Sequence, residues 1–176
     1  MRGMIRRLLA TWQASGRTTR RQGRAWYPEA RAAVRGMART HGTSVAVAAG
    51  VVAALSPRLM WHVNVRAADA VLGGAIPVGV FRTSLSKALR IHRGGERPLD
   101  VLGGPKVRAF YRALTGDDGA AVVDVWVLRV VGWTKSLTER AYGQVAKALE
   151  VVARQLGVTV VDLQATAWVA VRGRAA

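Results

Sequence analysis

Apolar positions recur at helical intervals along almost the whole chain, and glycines and prolines punctuate them. Ile5, Leu8, Leu9 and Trp12 predict a first helical stretch, loosened afterwards by Ser15-Gly16 and Gly23. From Tyr27 the pattern becomes regular, with Pro28 in a first turn and Ala32, Ala33, Val34 and Met37 leading to a stop at Gly42. Thr43-Ser44 caps an apolar helix that runs to Leu55. After the Pro57 break another runs from about Leu59 to Leu72, stopping at Gly73-Gly74.

Thr83-Ser84 opens a helix carrying Leu85, Leu89 and Ile91, and Arg97-Pro98-Leu99 opens a short one ending at Gly103-Gly104. Pro105 then fits the first position of a helix bearing Lys106, Phe110, Tyr111 and Leu114, so the pair forms a helical hairpin around a Gly-Gly turn. The stretch Ala120 to Val131 is ambiguous, because its valines favour a strand while Asp124 resembles an N-cap. Its helical surroundings make helix the reading adopted. Thr138 to Leu156 is amphipathic, with Ala141, Val145, Leu149 and Val152 on one stripe, and Val161 to Val171 predicts a last helix. The expectation is an all-α chain: a basic N-terminal arm over residues 1–26, followed by one helical domain over 27–176.

Charge adds a partner to this picture. The formal net charge is +17, and all but four of the 27 basic residues are arginines, whose planar fork suits phosphate. Residues 1–24 hold seven arginines and no acid, which fits either a phosphate-tracking arm or a solvated tail. The absence of cysteine excludes disulfides, thiolate zinc sites, iron–sulfur clusters and cysteine nucleophiles. The apolar run from Val45 to Leu55 is about half of what a bilayer requires, so no membrane contact is expected. His41, His62 and His92 lack metal-ligand spacing, and Asp117-Asp118 reads as an exposed loop pair. Neither a metal nor a cofactor is expected.

The chemistry concentrates in Val101-Leu102-Gly103-Gly104-Pro105-Lys106-Val107 and, eighteen residues beyond the lysine, Asp124 within Val122-Val123-Asp124-Val125-Trp126-Val127-Leu128-Arg129. A Gly-rich turn offers backbone N–H groups to phosphate, an unprotonated lysine amine is a nucleophile, and a carboxylate stabilises positive charge developing on a sugar. Lys106 equally fits a lysine that only binds phosphate, and Asp124 a plain helix cap.

These two segments resemble the hairpin and aspartate motifs of the helix-hairpin-helix DNA glycosylase superfamily, the endonuclease III and 8-oxoguanine glycosylase group. Val51-Val52-Ala53-Ala54-Leu55-Ser56-Pro57, followed by Trp61, Asn64 and Ala67-Ala68, is similar to that family's helix, wedge loop and helix. The resemblance covers roughly residues 27–172. It implies a helix-hairpin-helix glycosylase-like fold acting on double-stranded DNA, with Lys106 attacking the sugar C1′ of a flipped, damaged nucleotide and Asp124 assisting. Expulsion of the base leaves a Schiff base, from which β-elimination nicks the strand. It further implies that Gly103, Gly104, Arg108 and Arg129 contact DNA and that Arg58 fills the vacated space in the duplex. Gln164, Trp168 and Phe110 would line the base pocket. Gln164 and Trp168 stand four apart, as in the 8-oxoguanine branch, where a Gln and a Phe read and stack the base. Trp168 as core and Gln164 as a satisfied buried amide is the alternative.

The sequence departs from the family in several places. The hairpin is a residue or two leaner, Leu102 stands where the first glycine is usual, Pro105 removes one N–H, and Trp126 replaces a histidine. Two other readings therefore stand beside a monomeric, cytoplasmic, nucleoid-associated repair glycosylase. One is a hairpin DNA-binding protein without excision activity. The other is a glycosylase-fold enzyme that modifies an unusual base in phage-type DNA.

Overall fold

A computed structural model describes residues 1–173. The class is all-α: among these residues there are ten helices and no strand. In chain order they are α1 (Arg2–Ala14), α2 (Arg17–Thr40), α3 (Val45–Leu55), α4 (Trp61–Leu72), α5 (Arg82–His92), α6 (Pro98–Val101), α7 (Pro105–Leu114), α8 (Val125–Val131), α9 (Glu139–Leu156) and α10 (Val160–Arg172). The chain folds into two compact units that exchange at Pro28, inside α2, and at Gly116. One is built from the two ends of the chain and the other from its middle.

The terminal unit changes the expected picture of the N-terminus. Residues 1–26 are not a separate arm. Met4, Leu8 and Trp12 of α1 are buried in the same core as Val127 of α8, Leu149 of α9 and Leu163 of α10. Gly23, expected to loosen the chain, lies inside α2 and is buried. A Cβ there would stand 2.4–2.6 Å from Oγ1, Cα and N of Thr166 on α10. The glycine is a close-packing device between two helices, not a hinge. Pro28 likewise lies within α2 rather than at its first turn. Pro28 and Arg24, the residue whose carbonyl loses its N–H partner, are both exposed.

In the middle unit α3 is apolar on every side, and each residue from Ala48 to Leu55 is buried. A helix with no polar face belongs at the centre of its unit, and α4, α5, α6 and α7 all pack on it. Ser44 caps it as expected, accepting from the Val47 N–H at 3.1 Å. Near its other end, Asn64 of α4 donates Nδ2 to the Val52 carbonyl at 3.1 Å, satisfying an end-of-helix acceptor that would otherwise be buried unpaired.

Gly50 of α3 seats the start of α6. A Cβ there would stand 2.8 and 2.9 Å from the Pro98 ring and 3.1 Å from Ile91 Cγ2. Gly50→Ala should therefore lower stability by about 1–2 kcal/mol, the overpacking strain exceeding alanine's better helix propensity. Chemical denaturation reads this as a lower midpoint at unchanged slope, and an unchanged midpoint would mean that the α6 contact gives way freely.

Candidate nucleic-acid interface and catalytic residues

The predicted hairpin is present in the middle unit. Its first helix is a single turn, opened by Pro98 and closed by the Leu102 N–H donating to the Pro98 carbonyl at 2.8 Å. Leu102 is fully buried and anchors the turn, whereas Gly103 and Gly104 are exposed. Gly104 is the N-cap of α7 at φ 76°, a left-handed backbone that disfavours any side chain. Pro105 takes the first turn of α7, where its missing N–H costs nothing. Lys106 follows, half-buried, and Arg108 is exposed.

A residue that sequence reasoning passed over joins them. Lys87 of α5 brings Nζ to 3.2 Å from where a Gly103 Cβ would stand. Its only sequence signal was a lone lysine between Ser86 and Ala88. Three cations, Lys87, Lys106 and Arg108, thus sit on or beside the hairpin turn. Nearby, Arg97 grips Asp100 through two hydrogen bonds of 2.8 and 3.2 Å and holds that exposed carboxyl below its ordinary range.

Arg58 follows α3 at φ 62°, the one non-glycine residue at positive φ among those described. It is exposed, with its guanidinium 5.8 Å from the Phe81 ring centre. Phe110 does not line an open pocket. It is 8% exposed and meets Trp61 edge-on, with centroids 6.5 Å apart.

In the terminal unit the segment before α8 corrects the sequence reading. Only Val125–Val131 is helical; residues 120–124 form neither helix nor strand, Asp124 itself being extended. Side chains take the place of a neighbouring strand. Gln164 accepts from the Val122 N–H at 2.7 Å and donates to the Ala120 carbonyl at 3.2 Å. Tyr142 accepts from the Val123 N–H at 3.2 Å and donates to the Ala121 carbonyl at 2.5 Å. This delivers Asp124 to the N-cap of α8, where Oδ1 accepts from the Trp126 and Val127 N–H groups, both at 2.9 Å. Capping holds a carboxylate at the positive end of the helix.

Asp124→Ala should cost about 1–2 kcal/mol of stability, whereas Asp124→Asn, which keeps the capping oxygen, should cost a few tenths. Thermal melts separate the two. If both variants melt alike, capping is not what the side chain does for the fold.

Gln164 lies in the core, as the alternative reading of a satisfied buried amide has it. It is 3% exposed, and besides its two backbone partners it donates to Tyr27 Oη at 3.0 Å, so both its oxygen and its amide are engaged in the core. Trp168 is half-buried, 6.3 Å from Trp26 and beneath Arg172 at 5.0 Å. Arg129 is exposed, with its guanidinium 4.3 Å from the Trp126 centroid.

Of the loop pair Asp117-Asp118, Asp118 is exposed but Asp117 is half-buried, and Asp117 accepts from the Gly119 N–H at 2.9 Å and makes a turn. Among the described residues no cluster of His, Asp and Glu could hold a metal ion, and no helix is long and apolar enough to cross a membrane.

No curated protein and no solved structure matches this chain. A family model does match, over residues 1–175, and the chain belongs to the family that it describes, a family of unknown function designated DUF7178.

Proposed function

We propose that this protein acts on double-stranded DNA as a base-excision glycosylase with abasic-site lyase activity, Lys106 being the nucleophile. The observation that carries the reading is the α6–α7 hairpin. An exposed Gly-Gly turn leads into a ten-residue helix, and Lys106 stands on its first turn with no ion-pair partner among the described residues. Peptide N–H groups and cations converging on one turn suit a phosphate, and they would bring an amine to the sugar beside it.

The chemistry follows from the side chain. The unprotonated amine forms a bond to C1′, the glycosidic bond breaks with its electron pair passing to the base, and the base takes up a proton. The attached amine gives up a proton, and the C1′–O4′ bond breaks with its electron pair passing to O4′, which takes up a proton. The resulting protonated imine loses a C2′ proton as the 3′ phosphate departs. The base must first leave the stack, at a cost of a few kcal/mol that a lesion reduces. The substrate class is a damaged base, an oxidised purine such as 8-oxoguanine being the first to try.

Borohydride trapping on labelled duplexes carrying an abasic site, 8-oxoguanine or uracil tests the reading. A covalent adduct supports amine chemistry. Binding to every duplex without trapping or cleavage sinks the lyase.

One observation favours a second reading, hairpin-mediated DNA binding without excision. Two of the three residues expected to line a base pocket, Gln164 and Phe110, are buried in the cores of their units. That reading predicts salt-sensitive binding indifferent to damage.

A further inference from the structure

The terminal unit carries an arrangement of tryptophan and arginine that the hairpin reading does not use. Trp126, the second residue of α8, bears two guanidinium groups: Arg129 at 4.3 Å from its centroid and Arg172 at 5.5 Å. Arg172 also lies 5.0 Å from the Trp168 ring, and Trp168 in turn stands 6.3 Å from Trp26. The two arginines close the last turns of α8 and α10, where the negative end of each helix favours a cation. Both are exposed, and among the described residues neither meets a carboxylate.

An arginine stacked on an indole is held by its face, which leaves the N–H donors along its edge directed outwards. Fixing the side chain in advance removes much of the entropy cost of binding, and the planar fork matches the oxygens of a phosphate. Because both groups sit on one ring, their central carbons lie within about 10 Å of each other. A DNA strand carries one phosphate per about 3.4 Å of helix axis, so two neighbouring phosphates of one strand fall within that reach.

We propose that Arg129 and Arg172, braced on Trp126 and Trp168, form a phosphate clamp for one strand of DNA, a second contact in addition to the α6–α7 hairpin. The clamp rests on the DNA reading above, which already gave Arg129 a DNA contact, and extends it to Arg172 and to the indoles that brace both. Charge complementarity selects the occupant: the chain carries +17, and among the described residues neither of these cations meets a carboxylate.

The test is the salt dependence of binding to a labelled, undamaged duplex between about 0.05 and 0.2 M salt, for wild type, Arg129→Gln/Arg172→Gln and Trp126→Leu. Each phosphate contact contributes about 0.9 to the slope of log affinity against log salt, so the double variant should lose nearly two from the slope and roughly tenfold in affinity. Trp126→Leu keeps both charges and removes the brace, and should weaken binding with the slope unchanged. Circular dichroism checks that each variant is folded.

Wild-type binding with a steep slope that the double variant retains overturns the clamp alone. Trp126→Leu binding as tightly as wild type overturns the bracing. If the wild-type protein binds no duplex, the DNA reading falls, and the clamp with it.

Discussion

Lys106→Gln is expected to abolish the borohydride-trapped adduct while leaving most of the protein's affinity for the same duplex. The amide has no basic lone pair and forms no imine, so loss of trapping should be complete rather than partial. Affinity behaves differently because it is spread over many cations. Removing one phosphate-facing charge lowers the salt slope by about one and weakens binding uniformly across sequences. Lys87 of α5, whose amine lies beside the same turn, supplies the control. Lys87→Gln should reduce affinity to a similar degree yet still be trapped.

If Lys106→Gln is trapped as efficiently as wild type, the nucleophile lies elsewhere and the lysine belongs with Lys87 as a phosphate ligand. If the wild-type protein is never trapped but a lesion-containing strand still loses its base, water is the nucleophile. Asp124→Asn then becomes the decisive variant, because it removes the charge and keeps the cap.

The parts of this fold that were legible in the sequence are those decided within a few residues. Ser44 and Asp124 cap the helices that follow them because their side-chain oxygens reach N–H groups two or three positions on. Pro105 opens α7 and Gly104 turns the chain for the same local reasons. The stripe Ala141, Val145, Leu149 and Val152 is buried as its spacing predicts.

What could not be read depends on partners distant in the chain. Glycine and proline ordinarily punctuate a helix. α2 nevertheless runs through Gly23 because α10 packs against it there, and through Pro28 at a position exposed on its surface. The stretch before α8 is specified by Gln164 and Tyr142, which lie 42 and 19 positions from the backbone N–H groups that they receive. No periodicity in that stretch encodes them. The same limit applies to the candidate site. The Gly-Gly-Pro-Lys turn is a local motif and was visible, whereas Lys87 reaches it through the packing of another helix. The spacing of Gln164 and Trp168 suggested a shared face, but it carried no information about what that face meets.

Gln164 is also where the largest loss of stability is expected. Gln164→Leu preserves approximate volume in a site 3% exposed, but strips partners from the Val122 N–H, the Ala120 carbonyl and the Tyr27 hydroxyl together. A buried donor or acceptor left unsatisfied costs about 1–3 kcal/mol, and relaxation and water entry recover part of it. A net loss of about 3–5 kcal/mol is therefore expected, a large fraction of what holds a small domain folded. The effect should reach Asp124 as well, because the backbone that Gln164 and Tyr142 hold is the backbone that positions the cap.

Denaturant unfolding of Gln164→Leu, with trapping measured well below its midpoint, separates the two roles that this residue has been given. A scaffold role predicts a much lower midpoint and a uniform loss of activity over all lesions. A base-reading role predicts near-native stability with loss confined to one lesion, an outcome that would return Gln164 to a pocket and overturn the assignment of its amide to the core.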